Sequence, residues 1–579
     1  MRCATKGRTR TRWAVLALAL ALAASAAYSV AYAQPSVPLN QLPRPSEQPL
    51  PKPPPQVPKP PIKVPPTVPA PQPPELSRGI RVIARKFRFV GNTVFSDAEL
   101  QAIAAPYVGR SIGNAELEEL RLAITRRYVE AGYVNSGAVI PDQDVSDGVI
   151  TLRIIEGRLS EIIVGGANHF DPEFLRDRIA LGAGPPLNVN RLQERMQLML
   201  QDPQIERMQA QLAPGVERGE AVLRVDVAEA KRFLAGIDFS NDRSPVVGEY
   251  QAEMFVTAHN LLGRGEAYTL RAARTEGLGD YEATFSVPLT ARGTFLTLRY
   301  TQTRSKIVEA PLDQLDIGAN SHQFDAILAH PIIESLQHVV SVALTYTQTG
   351  TQYEFLGQPS PFIPGAPDGK TSTSVLRLGV DGVERSEQQV VAGRILVSRG
   401  IDAFGATVSS DPDIPDSQFT AVLGQFQWLR LVSRDGQLLV RADGQYANQP
   451  LLGSERYSLG GLESVRGYRK DALVRDNGWF ASVEYRHLVG HVPVLPNPAP
   501  GEGALRLAVF ADYGRAWDKH SPPGATTTLA SVGPGIRWEP ARGADFVLYY
   551  GVQLRDLQTP TTTLSDRGIL FRFTWAYAF

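Results

Sequence analysis

Residues 569–579 have the sequence ILFRFTWAYAF, in which large apolar side chains alternate with mostly smaller or charged ones. One face of an extended strand would carry Ile569, Phe571, Phe573, Trp575, Tyr577 and Phe579. The other face would carry Leu570, Arg572, Thr574, Ala576 and Ala578. Because successive side chains of a strand point to opposite faces, this segment predicts a strand with one aromatic face.

The same alternation recurs upstream through residues 233–579, in segments of about ten residues separated by Gly, Asp, Asn and Pro. A soluble sandwich would also alternate, but an aromatic face opposite a small or charged face suits a wall between lipid and a polar lumen. At about 20–22 residues for each strand and its connection, the region holds about 16 antiparallel strands. Residues 231–579 are therefore predicted to form a transmembrane β-barrel, with Phe579 as part of its assembly signal.

The N-terminus predicts export from the cytoplasm. Residues 1–33 contain five basic residues and no acidic ones, an apolar run and the triplet Ala31-Tyr32-Ala33, as in a cleaved signal peptide. A retained signal anchor is the alternative, although the run is shorter than the roughly 20 residues of a membrane-spanning helix. The sole cysteine, Cys3, lies here, so disulfides and Cys-built metal sites are excluded. Beyond residue 33, 54 basic and 59 acidic residues remain, which argues against a nucleic-acid partner.

Residues 34–78 form a proline-rich linker, with 18 of the 45 prolines between Pro35 and Pro74. This density excludes helix and favours a semi-rigid polyproline II spacer of about 120 Å. A ligand for a proline-binding module is the alternative. Two similar units follow, the first unit at residues 79–157 and the second unit at residues 158–230. Each has the predicted order β-α-α-β-β, and residues 165–170 resemble residues 91–95.

Two segments of the barrel region differ from the alternating wall. Residues 459–468 lie in a long connection, and parity along residues 505–514 directs Phe510, Asp512 and Gly514 into the lumen. Arg466 from the connection and Asp512 from the wall could form a charge-assisted pair that holds the connection inside the barrel. Alternatively, Arg466 lies in a solvated loop tip and Asp512 pairs with a neighbouring strand.

This arrangement resembles the ShlB/FhaC/HecB-type (TpsB) family of two-partner secretion transporters. The family's VRG(F/Y) loop motif is matched by Val465, Arg466, Gly467 and Tyr468. Its F-x-D-x-G strand motif is matched by Phe510, Asp512 and Gly514. Residues 89–92 resemble the opening of the family's first POTRA domain, and residues 133–157 resemble its end.

The resemblance implies two α+β POTRA domains in the periplasm, followed by a 16-stranded all-β barrel in the bacterial outer membrane. It implies a large secreted partner, a TpsA-like adhesin or cytolysin, recognised through its N-terminal secretion domain and exported through the barrel pore. It also implies that the loop locks onto Asp512. Outer-membrane lipids and the barrel-assembly machinery are expected partners, whereas no cofactor, metal or nucleic acid is expected. The proline-rich linker departs from the N-terminal plug helix usual in this family, so the plug is either absent or replaced by an extended segment.

Three other functions compete with secretion. An outer-membrane barrel-assembly factor of the same superfamily is the main alternative, although such factors commonly carry more POTRA units. A passive porin needs no such units. An outer-membrane enzyme would require catalytic residues, and the sequence has no G-x-S-x-G or H-E-x-x-H signature. No catalytic residue is therefore assigned.

Overall fold

A computed structural model of the chain describes residues 62–63, 81–360, 366, 368–494, 496, 502–519, 525–559 and 561–579. The predicted signal peptide lies outside these residues, and so does any N-terminal plug. Of the predicted linker, the structure describes only strand β1 (Ile62–Lys63).

The first unit has two helices packed on a small sheet. Its elements are β2 (Val82–Ile83), β3 (Lys86–Val90), α1 (Asp97–Ala104), a 3-10 helix (Ala105–Tyr107), β4 (Ser111–Ile112), α2 (Asn114–Glu130), β5 (Gly137–Val139) and β6 (Val149–Ile155). Ser96 caps α1, because its hydroxyl accepts from the backbone N–H of Glu99 while the Glu99 carboxylate accepts from that of Ser96. Leu120, Ile124 and Tyr128 form the buried face of α2. No helix among the described residues is long and apolar enough to cross a membrane.

The single strand that opens the predicted β-α-α-β-β order is split in two in the first unit, as β2 and β3. β2 pairs with β4, whereas β3 pairs with β6 in a three-stranded sheet. Between them, Ala84 donates to the carbonyl oxygen of Arg110 and Arg85 donates to that of Gly148. The chain therefore changes sheets at residues 84–85, a long-range pairing that local alternation does not reveal.

The second unit repeats this topology and adds one strand. Its elements are β7 (Arg158–Gly165), α3 (Pro172–Ala180), α4 (Val189–Met199), β8 (Ile205–Pro214) and β9 (Glu220–Glu229). β7 lies parallel and β8 antiparallel to β9, as β3 and β5 lie relative to β6. β1 pairs in parallel with the free edge of β8. The predicted linker thus contributes a strand, which is possible because Ile62 and Lys63 keep the N–H groups that proline lacks.

A glutamate closes each unit in the same way. Glu156 accepts hydrogen bonds from the backbone N–H groups of Thr93 at 2.6 Å and Val94 at 2.8 Å. Glu229 accepts from those of His169 at 2.8 Å and Phe170 at 2.9 Å. Each carboxylate therefore ties the end of its unit's last strand to the loop after the first strand of the main sheet.

The described strands between Phe233 and Ala578 form a closed antiparallel barrel. Its first strands are β10 (Phe233–Ser240), β11 (Gln251–His259), β12 (Ala267–Arg274), β13 (Leu278–Pro288), β14 (Phe295–Lys306), β15 (Gly318–Glu334), β16 (His338–Phe355), the two-residue β17 (Gln358–Pro359), β18 (Lys370–Arg385), β19 (Gln389–Ile401), β20 (Thr420–Leu431) and β21 (Gly436–Ala447). A separate hairpin comes next, made of β22 (Tyr457–Leu459) and β23 (Leu473–Arg475). The barrel then continues with β24 (Asn477–His491), β25 (Ala504–Trp517), β26 (Thr528–Glu539), β27 (Ala544–Tyr550), its continuation β28 (Val552–Gln553) and β29 (Ile569–Ala578). Counting β27 and β28 as one strand and β17 as an extension of β16, the described barrel has 16 strands, which confirms the prediction.

Alternation along the strands matches the predicted faces. Trp575 and Tyr577 are exposed on the outer surface, whereas Leu570 is fully buried. On β25, Leu507 and Val509 are exposed and Asp512 is buried. The strands differ in length, from eight residues in β10 and β12 to 17 in β15 and 18 in β16.

The second unit contacts the end of the barrel at which β10 begins, here called the inner end; the opposite end is the outer end. Arg195 of α4 forms a 2.7 Å ion pair with Glu334 and donates to the carbonyl oxygen of Ala291, 3.1 Å away. Gln204 donates to the carbonyl oxygen of Gly265 at 2.9 Å. These contacts join the second unit to the end of β15 and to two connections at the inner end.

Candidate functional site

The connection between β21 and β24, residues 448–476, is here called the lumen loop. It leaves the barrel wall at the outer end and packs against the inner wall. Hairpin strands β22 and β23 lie within it, and Leu459, Val465 and Tyr468 pack with wall residues Phe480 and Leu529 in a buried apolar cluster. The loop therefore occupies the lumen rather than projecting into solvent.

Arg466 and Asp512 are in direct contact, so the structure brings together the two residues that the sequence paired. Nε and Nη2 of Arg466 each donate to one Asp512 oxygen at 2.8 Å, in a bidentate arrangement. The backbone N–H of Arg466 donates to the same carboxylate at 3.0 Å. Arg466 is 1% exposed and Asp512 3%, which is incompatible with a solvated loop tip.

A second carboxylate, which the sequence analysis did not assign to this site, completes the group. Nη1 of Arg466 donates to Glu484 of β24, and Nη2 donates to the hydroxyl of Ser482 at 3.1 Å. Glu484 also pairs with Arg486 at 2.5 Å. Alternation along residues 479–486 puts Glu484 on the face opposite Trp479, so the sequence did contain a signal for its position. We call Arg466, Asp512 and Glu484 the wall clamp.

Aromatic rings enclose the guanidinium of Arg466. Its central carbon lies 3.8 Å from the ring centre of Phe510 and 4.7 Å from that of Tyr549. A cation over an aromatic face gains electrostatic attraction, particularly where water is excluded. The phenylalanine of the strand motif thus contacts the arginine of the loop motif directly.

Both motif glycines lie at close approaches of the chain. Gly467 has a φ of +92°, and a Cβ added there would lie 2.8 Å from the carbonyl oxygen of Gly551. A Cβ on Gly514 would lie within about 3 Å of side-chain atoms of Val465 and Leu459. The first glycine therefore permits the turn of the loop, and the second allows the loop to pack closely on the wall.

Tyr468 anchors the loop to β26 and to the connection that follows β28. Its hydroxyl lies 2.9 Å from the carbonyl oxygen of Ala530 and 2.8 Å from that of Arg555, either of which it can donate to. The backbone N–H of Arg555 donates to the same hydroxyl at 3.2 Å. Since the ring is fully buried, these bonds satisfy a polar group that would otherwise be costly to bury.

Sequence reasoning missed further ion pairs that hold the lumen loop in place. They are Glu455–Arg377 at 2.8 Å, Arg456–Asp518 at 2.7 Å, Glu463–Arg572 at 2.9 Å, and Arg469 with Glu309 at 2.9 Å and Asp566 at 2.6 Å. The partners are separated by 62 to 160 residues in the chain. No local pattern reports such a pairing, although the three pairs without Arg469 join a charge of the loop to a strand or to its outer end.

Phe579 lies apart from this site, at the inner end of the barrel. Its ring stacks on that of Phe233, with centres 5.8 Å apart. Its backbone N–H donates to the carbonyl oxygen of Phe233 at 2.9 Å. It therefore extends the pairing of β29 with β10, the two strands that close the barrel.

The contacts of the lumen loop fix its position inside the barrel. A buried ion cluster is stable while every member is paired, but removing one member of such a pair costs about 3–5 kcal/mol. An element of this kind has one well-defined bound position and leaves it only as a unit. Movement of this loop would change the free cross-section of the lumen.

Comparison with known proteins gives two family matches. The family described as "Haemolysin secretion/activation protein ShlB/FhaC/HecB" matches residues 219–538, just over half of the chain. The family described as "POTRA domain, ShlB-type" matches residues 82–157.

Individual relatives agree with these matches. Outer membrane transporter CdiB of Dickeya dadantii (strain 3937) is 23% identical over 425 residues, covering 71% of this chain and 74% of that protein. Hemolysin transporter protein ShlB of Serratia marcescens is 25% identical over 508 residues, covering 84% of both. The solved structure of CdiB from Escherichia coli has the same fold, with a TM-score of 0.67 at 20% identity over 88% of this chain and 93% of that chain.

Proposed function

The chain belongs to the ShlB/FhaC/HecB family of haemolysin secretion/activation proteins and is an outer-membrane transporter of two-partner secretion, and on that premise we propose how it engages its cargo. The first and second units, in the periplasm, capture one large TpsA-like exoprotein by its N-terminal secretion domain. The exoprotein then crosses the barrel pore while the lumen loop is displaced. Family membership favours this function over the assembly factor and the porin.

The edge of β8 is the observation that carries the proposal. β8 has ten residues, and β1 pairs with it only at Ala210 and Gln211. Its outer edge therefore already accepts an extended segment in parallel. Strand addition of this kind supplies main-chain hydrogen bonds and is a common mode of peptide recognition. The secretion domain would add a strand here and displace Ile62 and Lys63.

Passage through the barrel would then require the lumen loop to move. The wall clamp holds the loop against β24 and β25, and its release would free the lumen. No nucleotide is needed in this scheme, since folding of the exoprotein outside the cell makes its movement directional. We further propose that outer-membrane lipids contact the aromatic outer face, and that the barrel-assembly machinery recognises β29 with Phe579.

A reversible crosslink tests the role of the β8 edge. Lys63 and Gln211 are direct partners in the register, and Cys3 is the sole cysteine, so Lys63→Cys with Gln211→Cys creates one defined pair. The exoprotein encoded beside this gene serves as cargo. When the pair is oxidised, we expect secretion to fall sharply, because β1 then cannot leave β8, and reduction should restore it.

Each single cysteine variant is the control and should secrete at the wild-type level under both conditions. Wild-type secretion by the fully oxidised double variant would overturn the proposal that cargo displaces β1. A purified fragment of residues 34–230, which contains both β1 and β8, should bind the secretion domain with about micromolar affinity, or about −8 kcal/mol, and the oxidised pair should abolish that binding.

A further inference from the structure

Arg469, three residues after Arg466, binds a different part of the barrel. Its Nη1 donates to both oxygens of Glu309, at 2.9 and 3.0 Å. Its Nε and Nη2 donate to the two oxygens of Asp566, at 2.7 and 2.6 Å. Nη2 also donates to the carbonyl oxygen of Thr561 at 3.2 Å. Every nitrogen of the guanidinium is therefore engaged, and the side chains of all three charged residues are 7% exposed.

The partners of Arg469 come from connections at the outer end rather than from the wall. Glu309 lies between β14 and β15, and Asp566 lies between β28 and β29. Thr561 also donates its hydroxyl to Glu309, so the two connections touch each other beside Arg469. A third connection joins them, because Ser565 donates its hydroxyl to Glu249, between β10 and β11, at 2.9 Å.

We propose that Arg469, Glu309 and Asp566 form an outer clamp, a second lock that closes the outer mouth of the pore independently of the wall clamp. Arg469 acts as a positioning residue: it draws two outer connections onto the lumen loop. The wall clamp fixes the loop to the barrel wall, whereas the outer clamp fixes the mouth above it. Both must open before an exoprotein emerges.

The charges around Arg469 support its role in closing the outer mouth of the pore. One guanidinium faces the carboxylates of Glu309 and Asp566, with Glu249 one contact further away. Without Arg469 these like charges would repel one another, and the connections that carry them would move apart. Lysine at this position would retain the charge but could not contact Glu309 and both oxygens of Asp566 through separate nitrogens, so it should restore closure only in part.

Ion conductance of the full-length protein tests this role without any cargo. In planar lipid bilayers in KCl, we expect Arg469→Ala to raise the single-channel conductance several-fold. Glu309→Gln combined with Asp566→Asn should also raise it, and adding Arg469→Ala to that pair should raise it little further. Arg469→Lys should give an intermediate value. In cells without the exoprotein gene, Arg469→Ala should increase sensitivity to vancomycin.

Arg567→Ala is the matched control. Arg567 is exposed in the same outer connection, and among the described residues its side chain makes no hydrogen bond or ion pair, so this variant should conduct like the wild type. Wild-type conductance in Arg469→Ala that is fully inserted, by its heat-modifiable mobility, would overturn the outer clamp. If Arg469→Ala fails to insert, the Glu309 and Asp566 variants decide the question in the same way. Because no exoprotein is present, the outcome is independent of how cargo is recognised.

Discussion

Arg466 lies in a cluster whose charges balance. It faces Asp512 and Glu484, and Arg486 supplies the second positive charge. Truncating Asp512 and truncating Arg466 should therefore have different effects. Loss of Asp512 leaves Arg466 beside Glu484, whereas loss of Arg466 leaves two buried carboxylates with Arg486 alone.

We predict that Arg466→Ala reduces secretion more than Asp512→Ala, and that the double variant is little worse than Arg466→Ala. Breaking a buried pair costs about 3–5 kcal/mol, and residues of one cluster are not additive. Secreted exoprotein, normalised to inserted barrel, is the measurement for the cycle. Arg434→Ala, an exposed arginine at the inner end, should secrete normally. Strictly additive losses, or a larger loss for Asp512→Ala, would contradict the geometry.

Parity and motif together predicted two of the three residues of the wall clamp. Asp512 could be placed in the lumen because its strand alternates cleanly, and Arg466 could be joined to it by resemblance. Glu484 also had the correct parity, but nothing in the chain tied it to Arg466. Glu309 and Arg469 are 160 residues apart in irregular connections, where neither periodicity nor parity applies, so the outer clamp could not be predicted.

At the scale of the elements, one glutamate in each unit, Glu156 or Glu229, joins the end of the last strand to an earlier loop. Burial raises the pKa of Glu156, but hydrogen bonds from Thr93 and Val94 outweigh this and lower its pKa below the usual value for glutamate. A lowered pKa in the folded state means that the carboxylate stabilises the unit above the unfolded-state pKa, about 4.3. That contribution is lost as the pH falls through the folded-state pKa.

Accordingly, Glu156→Gln should destabilise a fragment of residues 80–230 at pH 7 by about 1–3 kcal/mol, because the N–H groups of Thr93 and Val94 lose a charged acceptor. The difference from the wild type should shrink as the pH approaches the lowered pKa. Urea unfolding at several pH values measures both effects. Glu161→Gln, at an exposed position on β7, should leave stability unchanged. A pH-independent difference would contradict the role of the ionised carboxylate.

The pairing of the closing strand β29 with β10 depends on Phe579, the residue that follows β29. Phe579 adds one backbone pair and one ring contact to the junction with β10. Deleting Phe579 should lower the amount of heat-modifiable barrel in the outer membrane and increase periplasmic degradation. Phe579→Tyr keeps the aromatic ring and should insert normally. Wild-type levels after the deletion would show that neither contact matters for assembly.

Over the whole molecule, polar contacts are distributed along the barrel from its inner end to its outer end. Arg195 joins the second unit to the inner end, the wall clamp holds the middle of the lumen, and the outer clamp joins the connections at the outer end. The order of these parts could be predicted from composition and periodicity along the chain. The two-residue strand β1 could not, because its pairing with β8 spans more than 140 residues and lies among prolines that favour an extended spacer.

The unequal lengths of the barrel strands have a consequence for the surrounding bilayer. A tilted strand needs about 9–11 residues to cross the hydrocarbon core. β10 and β12, with eight residues each, fall just short of this, whereas β15 and β16 exceed it by several residues. Because hydrophobic mismatch is relieved by local thinning, lipid should be thinner beside β10 and β12 than beside β15 and β16. β10 is also the strand that pairs with β29, so the thinned lipid borders the junction between the first and last strands of the wall.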